Sequence, residues 1–225
     1  MKTLVIVAHP EIKESSTQLF LKEIAIKHEG ITWLELNNAS INNVEKNRSL
    51  LKENQRIIFQ FPLLWYSAPG ILFEWLRLNI KQTDDTWLAE KELGIVVNIG
   101  QAAKNYRIGA SEQNSLSSLL SPLGSLANKL KMKLMPYFLI EKFEYLDEQK
   151  KKRLMIDYLQ YLDLDQPISF EERQLWVISR LKKLVEVSKN DKLQLILNNV
   201  VEQKEKLDEL KNEIKLIREA ENNQY

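Results

Sequence analysis

Three short stretches of this sequence carry residue types able to hold or act on a ligand. The first is His9 followed by Ser15, Ser16, Thr17 and Gln18. Hydroxyls and unpaired backbone N–H groups at a helix start make an anion site, and the helix dipole adds to it. His9 stands just before this loop, within reach of the same anion. The second stretch is Pro62, Leu63, Leu64, Trp65 and Tyr66. Proline cannot continue a central ladder, so the chain leaves its sheet there, with two large aromatics at the exit. A flat apolar ligand suits such a loop, bonded at its rim by backbone groups and covered by aromatic surface. The third is Asn98, Ile99, Gly100 and Gln101, with Tyr106 beyond it. Gly100 permits close approach of backbone to a ligand. The N–H groups after it can face a developing negative charge, and Tyr106 can donate a hydrogen bond to a substrate carbonyl.

Each stretch also has a plainer reading. Ser15 or Ser16 serves as a helix cap. Trp65 and Tyr66 pack under a neighbouring loop or a second subunit. Gly100 is an ordinary turn, and Tyr106 buries its ring. Capping and phosphate binding are compatible, so the first alternative excludes nothing. The chain has no GxGxxG and no GxxxxGK[ST], which argues against a dinucleotide-binding turn and an ATP-binding P-loop. One phosphate held by hydroxyls points instead to a mononucleotide such as FMN, with its isoalloxazine as the flat ring. Ser67 is not in a GxSxG elbow, so a hydrolase is disfavoured and this serine is read as a cap.

The elements that position these residues follow from hydrophobic patterning. Apolar runs at 4–8, 31–36, 56–61, 93–99 and 133–140 read as strands. The first is apolar throughout, as a strand covered on both faces would be. Amphipathic segments at about 16–28, 44–54, 69–80, 114–130 and 147–162 separate or follow them. Such alternation predicts a doubly wound α/β fold with parallel strands and right-handed crossovers. Ligands then bind at the carboxyl ends of strands, where all three stretches fall. Residues 162–172, LDLDQPISFEE, read as a linker that restarts as a helix with Ser169 and Glu172 in capping-box spacing. Beyond it, Leu193, Ile196, Val200, Gln203, Leu207, Leu210, Ile214 and Ile217 follow alternating steps of three and four, an a/d heptad with one polar d position. A helix packed on its own domain and a pairing device between subunits both fit. The expected division is a ligand-binding domain over 1–165 and a helical, coiled-coil extension over 166–225.

The totals exclude several classes. With 32 basic and 31 acidic residues, the net charge of +1 creates no field to gather nucleic acid or anionic membrane. There is no cysteine, so disulfides, thiolate catalysis and cysteine metal sites are ruled out. No metal site is expected. The early run LVIVA is too short for a signal-peptide core, and no stretch approaches the roughly 20 apolar residues of a membrane span. The expected location is the cytoplasm.

The motif FQFPLLWYSAPGILFEWL, residues 59–76, resembles the signature of the flavodoxin-like NAD(P)H:quinone oxidoreductases. These include the bacterial general-stress oxidoreductases and the ancillary oxidoreductase of glutathione-gated potassium efflux. The AHP start, the Ser15–Gln18 cluster, Gly100 and Tyr106 fall at matching spacings, and the likeness covers about residues 1–145. It implies a five-stranded flavodoxin-like sheet and non-covalent FMN, favoured over FAD. The phosphate would lie near His9 and Ser15–Gln18, and the ring on 62–66 and 98–101. It further implies hydride delivery from NAD(P)H, a quinone-like acceptor, and a homodimer whose second subunit completes the pocket. Peripheral association with a transporter is open. Some features depart from the pattern. Asn98, Ile99, Gly100 and Gln101 stand where a Thr-Thr-Gly-Gly run is common. Leu64 replaces a frequent polar residue, and Ser111 and Glu112 follow Tyr106 where some relatives have histidine. A Gly-rich loop after the third helix, which covers the flavin in relatives, is cut down to KQTDDTWLAEKE with Trp87 as its remnant, a change that would open the site or alter the substrate. Two readings result: a flavin-dependent NAD(P)H oxidoreductase, or a binding or regulatory module of weakened turnover that engages itself or a partner through its C-terminal helix.

Overall fold

A computed structural model describes residues 1–222 of the chain, with side chains through residue 219. The last three residues of the expected extension lie outside the described residues. The chain folds as two compact units, Met1–Pro167 and a second that begins at Ile168.

The first unit alternates strand and helix: β1 (Thr3–Val7), α1 (Ser16–Ala25), β2 (Ile31–Glu35), α2 (Asn38–Ile41), α3 (Val44–Glu53), β3 (Arg56–Pro62), α4 (Gly70–Asn79), α5 (Asp85–Leu88), β4 (Glu92–Ile99), α6 (Leu116–Lys129), β5 (Lys133–Leu134), β6 (Phe138–Glu141) and α7 (Glu148–Asp163). All strand pairs are parallel, in the order β2-β1-β3-β4-β5, and β6 also pairs with β4. That is the flavodoxin-like order, with its switch point between β1 and β3. The fifth strand expected over 133–140 is split in two. Pro136 lacks an N–H for the ladder, and its carbonyl accepts a hydrogen bond from the Tyr161 hydroxyl instead, at 2.9 Å.

Alternation along the strands sorts the core into two layers. Ile6, Phe59, Ile95 and Val97 face Leu51 of α3, Trp75 of α4 and Leu120 of α6. Val5, Val7, Ile58 and Val96 face Leu21 of α1 and Tyr158 and Tyr161 of α7. Gly94 sits where α7 presses closest. A Cβ there would stand 2.5 Å from Ile58 Cδ1 and 2.7 Å from the Tyr161 hydroxyl. The missing side chain lets that hydroxyl reach the Ile95 N–H at 3.2 Å.

The segment 81–92 does not cover the strand ends. It leads into the start of β4, at the opposite edge of the sheet, and Asp84 pins it there. The Asp84 carboxylate accepts both arms of the Arg48 guanidinium at 2.7 and 2.8 Å, the Trp87 indole N–H at 3.0 Å and the Lys81 N–H at 2.8 Å. The reading of Trp87 as the remnant of a cover over the strand ends is therefore corrected. Trp87 belongs to a clasp on α3, with Arg48 stacked over its ring at 5.3 Å.

The second unit is a helical hairpin, α8 (Phe170–Ser188) and α9 (Asp191–Asn222). Ser169 and Glu172 form the capping box that their spacing predicts. Lys189 turns the chain at φ 47°, and the Asn190 side chain accepts the Lys192 N–H. Along α9 the more buried column is Leu193, Leu197, Val200, Lys204 and Leu207. The d-position residues Ile196, Leu210 and Ile217 remain about half exposed, as does Ile214. The hairpin seam is thus rotated from the a/d face toward a/e. Among the described residues no helix is long and apolar enough to cross a membrane.

Two outcomes follow from this packing. Gly94→Ala should cost about 1–3 kcal/mol, seen as a lower urea midpoint. Acid unfolding should report Asp84. Its hydrogen bonds from Arg48 pull its pKa from 3.8 to about 2. A depressed carboxylate stabilises the fold above the unfolded value, and that share is lost as pH falls from about 4 toward 2. Asp84→Asn should therefore flatten the acid limb of the stability curve by about 2 kcal/mol relative to the parent chain.

Candidate functional site

Parallel strands end together, and three of them bring the candidate stretches to one edge. The Ala8 N–H donates to Gln60 O at 2.9 Å, which holds the end of β1 beside β3. Leu63 N–H donates to Asn98 O at 2.9 Å, tying the β3 exit to the end of β4. The Gln18 side chain bridges from α1 to Asn98, its Nε2 donating to Oδ1 at 3.0 Å.

At the end of β1, His9 Nδ1 accepts the Glu11 N–H at 3.0 Å. Burial is the largest influence on the ring and lowers its pKa, so the imidazole is neutral at neutral pH. Its proton is then on Nε2, a donor. Ser15 caps α1 through Gln18 N–H at 3.3 Å. The N–H groups of Ser16 and Thr17 have no partner among the described residues, as expected for the first turn of a helix. The Ser16 hydroxyl donates to the Glu144 carboxylate. Thr17 and Gln18 turn inward and are buried. Gln18 supports the loop from beneath, with its backbone N–H on Ser15 and its amide on Gln60 and Asn98.

The β3 exit is a two-residue hairpin turn. Leu64 and Ser67 exchange N–H···O bonds of 2.9 and 3.0 Å, leaving Trp65 and Tyr66 at the tip. Both have left-handed backbone, φ 48° and 62°. Such a turn prefers Asn-Gly, and bulky L-residues there are strained. Trp65 is 94% exposed and Tyr66 48%. The plainer reading, in which these rings pack beneath a neighbouring loop, does not hold. Leu64 is also exposed, while Pro62 is buried and Leu63 packs against the core.

At the end of β4, Asn98 is half-buried and Ile99 is fully buried. The Ile99 side chain belongs to the core, and its carbonyl accepts from the Lys142 N–H. Gly100 and Gln101 are exposed, and no atom lies within 4 Å of a Cβ placed on Gly100. Beyond them, the Ala103 N–H donates to Glu141 Oε2 at 2.6 Å. Tyr66 Oη donates to Glu112 Oε2 at 3.1 Å. Tyr106 leans on the core beside these two. Burial first, then the charge of Glu112, raises its phenol pKa, so the group stays protonated and able to donate.

Residue types alone did not reveal Glu112, Glu141 and Glu144 as partners, because their contacts are made across loops. Gln60 left a clearer signal: a glutamine inside the apolar run RIIFQFP is fully buried and must find partners. It accepts from Tyr158 and donates to Gln18.

Comparison with known proteins places this arrangement. Residues 1–162 match the Flavodoxin_2 family, described as having a flavodoxin-like fold. General stress protein 14 of Bacillus subtilis is 31% identical over 172 residues, covering 71% of this chain and 98% of that protein. A crystal structure described as an NADPH-quinone reductase from P. pentosaceus is 39% identical with a TM-score of 0.69, covering 73% of this chain and 99% of that one. The general stress protein 14 of Treponema denticola, solved in complex with FMN, is 24% identical with a TM-score of 0.67, covering 72% and 98%. The family match ends before α8. With its strand order, its three converging strand ends and these relatives, the chain belongs to the flavodoxin-like NAD(P)H oxidoreductase and quinone reductase family.

Proposed function

We propose that the chain binds FMN at the carboxyl edge of β1, β3 and β4 and uses it as an NAD(P)H-dependent reductase of quinones or similar acceptors. The observation that carries this reading is the Trp65–Tyr66 turn. Two bulky residues are held in strained backbone with their rings toward water, beside an open Gly100. Strain of this kind accumulates at ligand sites. The relatives add support: one is described as an NADPH-quinone reductase and another was solved with FMN.

The donor set fits the cofactor. The N–H groups of Ser16 and Thr17, with His9 Nε2–H, suit a phosphate at the start of α1. The Glu144 carboxylate that now accepts from the Ser16 hydroxyl would have to move aside for a phosphate. The phosphate would take over that hydroxyl. Leu64, Trp65 and Tyr66 would cover the ring and exclude water, and Gly100 and Gln101 would offer backbone N–H groups at its rim. Protonated Tyr106 would donate to an acceptor oxygen. When bound, FMN supplies the redox chemistry, a two-electron exchange between NAD(P)H as hydride donor and the quinone-like acceptor.

A second reading concerns assembly. Ile196, Leu210, Ile214 and Ile217 keep a half-exposed apolar column on α9. That column suits a homodimer paired through the extension, which would also serve a module of weakened turnover.

Three experiments test these readings. Titration of FMN into apoprotein should quench flavin fluorescence, and the loaded protein should oxidise NADPH with a benzoquinone. No uptake at micromolar FMN defeats the reading. Replacing the tip with Asn-Gly (W65N/Y66G) should stabilise the apoprotein by about 1 kcal/mol in urea while weakening FMN by about tenfold or more. For the assembly reading, light scattering should give a dimer for the full chain and a monomer for a chain ending at Pro167; a dimeric truncation rules out the α9 seam.

A further inference from the structure

Four polar side chains form a line through a layer otherwise built of Val5, Val7, Ile58 and Val96. Tyr158 Oη donates to Gln60 Oε1 at 2.6 Å. Gln60 Nε2 donates to Gln18 Oε1 at 2.6 Å. Gln18 Nε2 donates to Asn98 Oδ1 at 3.0 Å. Tyr158 and Gln60 are wholly buried and Gln18 is 1% exposed. Only Asn98 meets solvent.

The line has a fixed direction. A carboxamide can turn over at little local cost, exchanging its donor and acceptor ends. Inverting all three amides would keep the three links but make Gln60 donate to Tyr158. The phenol proton would then be buried without an acceptor, because Gln60 is its partner here. Burial also keeps the Tyr158 phenol protonated, so the sense does not reverse with pH. Each amide fixes the next, and the last is Asn98. Its Oδ1 is used by Gln18, so its Nδ2–H2 is left at the carboxyl edge with no partner among the described residues.

We propose that Tyr158, Gln60 and Gln18 are positioning residues that lock the Asn98 carboxamide with its N–H2 outward, as a one-way donor to an oxygen of bound FMN. This rests on the flavin reading above. A packing role alone would be served as well by apolar side chains, since replacing both partners of a buried hydrogen bond by apolar groups of the same shape can be nearly neutral. A polar line that surfaces at a single amide beside the α1 start and the β3 exit instead transmits orientation.

A double-mutant cycle tests the proposal, read by FMN dissociation constants from fluorescence quenching. Tyr158→Phe removes the proton that sets the direction. Gln18→Met removes the last link with nearly the same shape, and serves should Tyr158→Phe fold poorly. Each should weaken FMN by about tenfold, the worth of one misdirected hydrogen bond. In an Asn98→Ala background the same changes should alter affinity by less than about twofold, since the group they act through is gone. Equal losses in both backgrounds, or no loss in either, overturn the proposal. Failure of the parent chain to take up FMN would defeat the flavin reading itself, and the parent titration reports that separately.

Discussion

Strand β3 is the constraint on which the rest of this molecule depends. All seven of its residues are buried, between β1 on one side and β4 on the other and with helices on both faces. Backbone groups so far from water must be paired along both edges. Pairing with β1 ends just before Pro62, so the chain leaves the sheet there. The hydrogen bond from Leu63 to Asn98 then sets where the exit loop lies against β4. The turn at Trp65 and Tyr66, the α1 start and the Gly100 loop share one edge because this strand fixes the register of its neighbours.

The order of elements was legible because buried parallel strands leave unbroken apolar runs, and 4–8, 56–61 and 93–99 agree with the observed strands to within a residue. The split of the last strand was not, because it depends on Tyr161 reaching the Pro136 carbonyl from a helix 25 residues away. The place of segment 81–92 was misread for a related reason. Its tryptophan resembles the remnant of a shortened cover, whereas Asp84, Arg48 and Trp87 form a clasp at the far edge. Only the path of the chain through α4 decides which edge a loop serves.

Within the site, residue type predicted location better than role. Ser15 caps, Trp65 is exposed and Tyr106 leans on the core at the expected edge. Gln18 and Ile99 stand at that edge with side chains directed inward, one into a polar line and the other into the core. Spacing along a helix or strand brings a residue to the edge but does not say which way it faces. The heptad in α9 shows the same limit: the period identified the helix, but the buried stripe lies one position around from the a/d face.

The Trp65–Tyr66 tip has a further consequence. Its shape is held by two backbone hydrogen bonds between Leu64 and Ser67, and its side chains add almost nothing to the core. Selection for a folded protein alone would therefore favour Asn-Gly here and gives the two rings no support. What retains them must act outside folding, and either ring can be exchanged without disturbing the sheet behind.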